Sequence, residues 1–252
     1  MKHAALAKEF GVEPSKGLLL YGPPGNGKTL IAKVIASMIL DSTDVDPRAF
    51  TYVKGAEMLS MYVGDTEQQI VRMFKNSREY MKETGKQAVI FIDEAEAIVP
   101  ARGSRTSSDV DKTIVPTFLS EMDGFDEQNP FILLSTNLPE SIDEAVLREG
   151  RIDVKVPINK PTQGDAEEIF AIHLKGVKCG EDVNVLCKIG AEKLFRSNLL
   201  ERVSGAMIKT IVGLAGKNAM KRKIEFPTTK VVGITEEDIV KSLTIIDHVT
   251  NS

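Results

Sequence analysis

The sequence predicts an α/β fold in which a phosphate-loop parallel sheet is flanked by helices and followed by a small helical domain. Three observations predict it. The stretch Gly22-Pro-Pro-Gly-Asn-Gly-Lys-Thr29 lies between an apolar run, Leu18-Leu-Leu-Tyr21, and a helical pattern that begins at Thr29. A Gly-x-x-x-x-Gly-Lys-Thr loop needs that strand–loop–helix context. The runs Ala88–Ile92 and Phe131–Ser135 are continuously apolar, as strands covered on both faces of a parallel sheet are. After Pro161 the strand signals stop and helical periodicity takes over. A boundary near Lys160 follows, with an α/β domain over residues 1–160 and a helical lid domain over residues 161–252.

The elements follow in order. Ala5, Leu6 and Phe10 share one face of a short lead-in helix that Gly11 and Pro14 end. The strand Gly17–Tyr21 enters the loop, the helix Thr29–Leu40 leaves it, and a polar turn, Asp41–Pro47, precedes a strand near Phe50–Val53. That βαβ unit implies parallel pairing. Lys54–Gly64 reads as irregular. Asp65 opens a helix with Gln68 as its capping partner, and Ile70, Phe74, Ser77 and Met81 recur on one face until Gly85. The run Ala88–Ile92 ends in Asp93-Glu94, and Ala101–Ser108 is a Gly/Ser/Arg loop. Asp109–Met122 reads as a helix in which Pro116 predicts a kink or a late start. Phe131–Ser135 leads into Thr136-Asn137, and Asp153–Ile158 is the last strand. Four helices are then expected, over Gln163–Leu174, Val183–Phe195, Ser204–Met220 and Thr235–Ile246, the last with Thr235 and Asp238 as a capping pair.

Composition excludes several classes. With 42% hydrophobic and 27% charged residues the chain can bury a core, and a net charge of -4 disfavours coating nucleic acid or anionic lipid through its overall field. No apolar run approaches the roughly 18 residues that span a bilayer, and the charged opening Met1–Glu9 lacks a signal-peptide core. A cytoplasmic chain without membrane attachment is expected. Cys179 and Cys187 are spaced as packing thiols rather than as a metal or redox pair.

The loop is suited to a nucleotide. Glycines at 22, 25 and 27 let the main chain approach a ligand so that successive N–H groups converge on phosphate oxygens, and the following helix adds its positive end. Lys28 can reach the β- and γ-phosphates, and the Thr29 hydroxyl can ligate Mg2+. Asp93 and Glu94, adjacent carboxylates at the end of a buried strand, suit a magnesium ligand and a group that polarises the attacking water. By themselves they could equally cap a following helix; the phosphate loop upstream favours catalysis. Asn137 ends another strand, where an amide could bond both the water and the γ-phosphate, or where it is simply a turn residue.

Taken together, Gly22–Thr29, Val89-Ile-Phe-Ile-Asp-Glu94, Ser135-Thr-Asn137 and Leu147-Arg-Glu-Gly-Arg-Ile-Asp153 resemble the AAA+ ATPases, in particular the AAA clade. Ser107-Ser-Asp-Val110, Leu119–Gly124 and Ser204-Gly-Ala-Met-Ile208 resemble more narrowly the actinobacterial proteasomal ATPases, ring unfoldases of the Mpa type. The resemblance implies Mg2+-dependent ATP hydrolysis and homo-hexameric rings. It implies nucleotide contacts from Gly22, Pro23, Pro24, Gly25, Asn26, Gly27, Lys28, Thr29 and Leu30, and from Gly205 and Ala206 of the lid. Arg148 and Arg151 match the arginines that such proteins insert into a neighbour's site, although Arg-Glu-Gly-Arg stands where Arg-Pro-Gly-Arg is usual. Asp123-Gly-Phe125 matches a segment that reports nucleotide state between subunits. His173 is either packing or a nucleotide contact, with the two readings evenly balanced. Tyr62-Val63-Gly64 matches an aromatic loop that grips polypeptide in a central pore, with Arg102–Arg105 as a second pore loop; the alternative is that Tyr62 packs under the helix at Asp65. A polypeptide substrate, passed on to a protease or brought by an adaptor, is the partner implied, with nucleic acid disfavoured. The rivals are remodelling of protein or nucleic-acid complexes without a protease, and a nucleotide-locked scaffold. The proteasomal relatives' coiled-coil and small β-barrel segments and their protease-docking tail have no counterpart in this sequence.

Overall fold

The computed structural model describes residues 10, 15–40, 46–59, 65–101, 109–124, 129–228 and 232–251. It divides into two compact units, Met1–Gly22 with Lys28–Ile158, and Pro23–Gly27 with Asn159–Ser252.

In the first unit the strands are β1 (Gly17–Tyr21), β2 (Phe50–Lys54), β3 (Val89–Asp93), β4 (Phe131–Thr136) and β5 (Val154–Pro157). Every pairing is parallel and the order is β2-β3-β4-β1-β5. Successive side chains point to opposite faces of a strand, and both faces are filled. Ile90, Ile92, Ile132 and Leu134 pack with Ile70 and Phe74 of α3 (Asp65–Thr84) and Phe118 and Met122 of α4 (Asp109–Asp123). Val89, Phe91 and Leu133 pack with Ala32 and Ala36 of α1 (Lys28–Leu40). This two-sided burial explains why β3 and β4 read as unbroken apolar runs. Parallel order also gathers the carboxyl ends of β3, β4 and β1 side by side, where open α/β sheets carry their sites.

One local expectation needs correction, and of the two outcomes expected at Pro116, a kink or a late start, one is removed. The segment read as irregular after Lys54 begins with a short helix, α2 (Gly55–Leu59). One and a half turns are too short for a periodic signal, but Met58 is buried in the core and its carbonyl accepts the Thr66 hydroxyl at 3.0 Å. The α4 helix starts at Asp109 and runs through Pro116, without a late start. An interior proline costs about 3 kcal/mol; burying Ile114, Val115, Phe118 and Met122 contributes about 1.5–3 kcal/mol per large side chain and offsets it.

In the second unit, α5 (Gln163–Leu174), α6 (Val183–Phe195), α7 (Gly205–Glu225) and α8 (Glu236–Asn251) enclose a core that includes Phe170, Leu186, Leu194, Ile208, Ile211 and Ile239. Each opens on a side-chain cap. Thr162 and Asp165 form a reciprocal box, Asp182 accepts Asn184 N–H at 2.8 Å, Ser204 accepts Met207 N–H at 3.2 Å, and Asp238 accepts Thr235 N–H at 3.0 Å. Such caps contribute about 0.5–2 kcal/mol each, and the Thr235 and Asp238 pair is the one that was readable as a cap in the sequence. Gly190 lies under the Phe170 ring, where an added Cβ would stand 3.0–3.2 Å from three ring carbons. Gly190→Ala is therefore expected to destabilise this unit by about 1–3 kcal/mol through overpacking. Denaturant titration followed by circular dichroism measures it, and an unchanged or higher midpoint would show that the ring yields freely.

Candidate functional site

The loop after β1 is shaped by glycine. Gly22, Gly25 and Gly27 have φ of 146°, 78° and 84°, values that L residues adopt poorly. At Gly22 a Cβ would lie 2.2 Å from the Ile158 carbonyl oxygen, so no other residue fits beneath β5. A run of such conformations turns backbone N–H groups toward one side and forms an anion-binding concavity. Within the second unit, the Gly25 carbonyl accepts Ala206 N–H at 3.0 Å, which brings one of the two expected lid residues against the loop.

At the start of α1, Lys28 is only 7% exposed. Its ammonium donates to the Gly22 carbonyl at 2.8 Å and to Asn137 Oδ1 at 2.6 Å. Burial lowers its pKa below the ordinary lysine range, and the Asp93 and Glu96 carboxylates oppose that shift. A desolvated cation facing carboxylates is well placed to exchange them for a polyanion. Thr29 Oγ1 donates to Asp93 Oδ2 at 2.7 Å, and the Ser135 hydroxyl donates to Asp93 Oδ1. Lys28, Thr29, Asp93 and Asn137, drawn from three separate stretches of sequence, thus form one connected cluster. The donor chemistry fits Mg2+, which takes hard oxygen ligands, commonly one or two from the protein and the rest from phosphate and water.

Glu94 follows β3 and is exposed. Its backbone has φ 56° and ψ 50°, the left-handed region, and it is the only non-glycine with positive φ among the described residues. Such a conformation costs of order 1–3 kcal/mol and persists where the surroundings impose it. Gly55 is part of that surrounding, since a Cβ there would stand 2.4 Å from the Glu94 carbonyl oxygen. Glu94 thereby leaves the strand's alternation and takes no part in the hydrogen bonds of Lys28, Thr29, Asp93 and Asn137. Gly55, Glu96 and Ser135 are the neighbours that sequence reasoning did not single out for this site. Only Ser135, inside the Ser135-Thr-Asn137 stretch, carried a signal that could have found it.

The two arginines differ. Arg148 is exposed, whereas Arg151 donates from Nε to Asp123 Oδ1 at 3.0 Å, pairs again with Asp123 Oδ2, and donates to the Ala145 carbonyl at 2.5 Å. The Arg151 guanidinium holds the Asp123 carboxyl below the usual carboxylate range, and Asp123 raises the pKa of Arg151. The last expected nucleotide residue in the second unit, His173, is half-buried; burial first, and the Lys209 charge second, lower its pKa. The imidazole thereby favours its neutral form. Leu30, expected next to the loop, is exposed on α1, and Gly205 begins α7. Tyr62, Val63, Gly64, Arg102–Arg105 and Phe125 lie outside the described residues.

A five-stranded parallel sheet with a glycine-shaped loop before Lys28-Thr29, and acid and amide groups at the adjoining strand ends, defines a P-loop nucleotide-binding domain. Residues 18–160 match the ATPase family associated with various cellular activities, AAA. The chain belongs to that family and carries its ATPase domain. It is 37% identical to a Corynebacterium diphtheriae protein named "AAA ATPase forming ring-shaped complexes", over 96% of this chain and 51% of the relative. Proteins of the same name from Bifidobacterium adolescentis (36% identical, 92% of this chain, 50% of theirs) and Kocuria rhizophila (37%, 96%, 48%) are similar. The chain spans about half the length of these relatives. Among the described residues no helix is long and apolar enough to cross a membrane.

Proposed function

We propose that this chain hydrolyses ATP with Mg2+, that copies of it close into a homo-hexameric ring, and that the ring uses ATP turnover to unfold or translocate polypeptide. The observation that carries the reading is the cluster at the carboxyl ends of β1, β3 and β4, where Lys28 meets Asn137 and Thr29 meets Asp93. Lys28 binds the β- and γ-phosphates, and Thr29 and Asp93 hold Mg2+. The ion supplies charge neutralisation and a template for in-line phosphoryl transfer. Glu94 accepts the proton of the attacking water, and Asn137 orients that water against the γ-phosphate once nucleotide draws Lys28 away. The sequence resemblance assigns Pro23, Pro24, Asn26 and the glycines to the phosphates, and Gly205, Ala206 and His173 to nucleotide contacts.

Ring closure is supported by the name of the relatives and by Arg148, an exposed cation with no ion pair among the described residues. Arg148 reaches a neighbouring copy's site, and Arg151, held by Asp123, braces the turn that presents it. The polypeptide substrate, the grip by Tyr62-Val63-Gly64, the kinship with proteasomal ATPases, a protease or adaptor partner and a cytoplasmic setting all rest on the sequence resemblance.

Shared sites make a sharp prediction. Arg148→Ala and Glu94→Gln chains are each expected to be nearly inactive, since an arginine supplied in trans contributes about 10³–10⁵ in rate. Mixed and reassembled, they should regain activity, because an intact Glu94 in one chain then faces an intact Arg148 from the next. A mixture no more active than the sum of its parts would remove the trans assignment.

A further inference from the structure

We propose that Ser135 is a positioning residue, one that fixes the Asp93 carboxylate so that it can hold the magnesium ion; this rests on reading the cluster as an ATP site. Ser135 is the penultimate residue of β4 and is 0% exposed. The parallel register pairs Ile92 with Leu134, so the next residues on each strand, Asp93 and Ser135, come together although 42 positions apart. The Ser135 hydroxyl donates to Asp93 Oδ1, and the Thr29 hydroxyl donates to Asp93 Oδ2 at 2.7 Å. Both oxygens are held and the carboxylate plane is set.

The two anchors are not equivalent. Thr29 is itself a candidate metal ligand, so its bond to Asp93 changes when the site fills. Ser135 is sealed within the sheet between β3 and β1, beyond the reach of a ligand, and its bond can persist. A buried hydroxyl needs a partner, and a neutral carbonyl would satisfy it; here the partner is the charged group of the site, and charge-assisted bonds are about twice as strong. The residues that follow divide the remaining work. Thr136 Oγ1 accepts Leu138 N–H at 2.9 Å and shapes the turn, and Asn137 Oδ1 accepts Lys28 Nζ at 2.6 Å. Ser135 thus governs the metal end of the cluster, whereas Asn137 governs the phosphate end.

The test separates metal binding from pocket shape. Affinity for a fluorescent ADP analogue is measured in excess Mg2+ and in excess EDTA, for wild type, Ser135→Ala and Ser135→Thr, with Mn2+ titration by electron paramagnetic resonance on the same samples. Loss of a partner that orients a ligand costs about 10–100-fold in metal affinity. Ser135→Ala should therefore keep its EDTA affinity while the gain from Mg2+, and the Mn2+ affinity with ADP present, fall by about that factor; Ser135→Thr, which keeps the hydroxyl, should behave as wild type. If the alanine chain does not fold, Ser135→Cys, a weak donor of similar volume, reads the same ratio. An unchanged gain from Mg2+, or equal losses with and without it, would overturn the assignment. A wild-type chain that binds no nucleotide, or gains nothing from Mg2+, would overturn both this proposal and the ATP-site reading on which it rests.

Discussion

Replacing Glu94 by Gln is expected to leave ATP bound and to slow its turnover by about 10²–10⁴-fold, the range that a positioned proton acceptor contributes. The substitution keeps the size and the left-handed backbone while removing the basic oxygen. Glu94 makes no hydrogen bond to Lys28, Thr29, Asp93 or Asn137, which bond among themselves, so ATP affinity should move by less than about threefold, roughly 0.6 kcal/mol. The strained conformation of Glu94, with φ 56°, sharpens the expectation, because a residue forced out of strand alternation at a site is held there for its side chain. Quenched-flow phosphate release and equilibrium ATP binding, measured on one preparation, separate the two effects. A fall in affinity as large as the fall in rate would instead make Glu94 a binding residue.

Lys28→Ala has the opposite signature. A charged hydrogen bond is worth about 1.5–3 kcal/mol, and each 1.4 kcal/mol is about tenfold, so ATP affinity should fall by about 10–150-fold. The nucleotide-free protein should barely be affected. Burial works against the Lys28 charge while the nearby Asp93 and Glu96 carboxylates favour it, so removing it relieves one desolvation cost while leaving the Gly22 carbonyl and Asn137 to find water. Thermal melting with and without ATP reads both. The expected result is a similar melting point without nucleotide and a lost upward shift with it. A large drop in the nucleotide-free melting point would assign Lys28 mainly to holding β4 to the loop.

The parts of this fold that were legible in the sequence are those whose chemistry is local. Gly22–Thr29 needs its glycines and its Lys-Thr pair in fixed order within one turn, and the helices of the second unit announce themselves through their periodicity, the last also through the Thr235 and Asp238 capping pair. β3 and β4 were legible because burial on both faces leaves no polar interruption. What was missed is non-local or short. The bond between Ser135 and Asp93 exists only because β3 and β4 pair in one particular register. The fit of Gly55 against the Glu94 carbonyl likewise joins the start of α2 to the residue after β3, and α2 is too brief to show a period. The α7 helix continues to Glu225, past the expected stop at Met220; the added turn, Lys221-Arg-Lys-Ile-Glu225, has helix propensity but exposes Ile224, so the amphipathic pattern ended before the helix did. Arg148 and Arg151 looked alike in sequence, and only the position of Asp123 separates an exposed arginine from a tethered one.

We take the strand-end cluster to be a hydrolytic ATP site rather than a nucleotide clamp. Phosphate release from ATP by the wild-type and Glu94→Gln chains, side by side with and without Mg2+, tests it most directly. Sustained release by wild type is expected only when Mg2+ is present, with at least about a hundredfold less from Glu94→Gln at equal ATP occupancy. Equal release from the two chains, or none from wild type at saturating Mg-ATP, would contradict it.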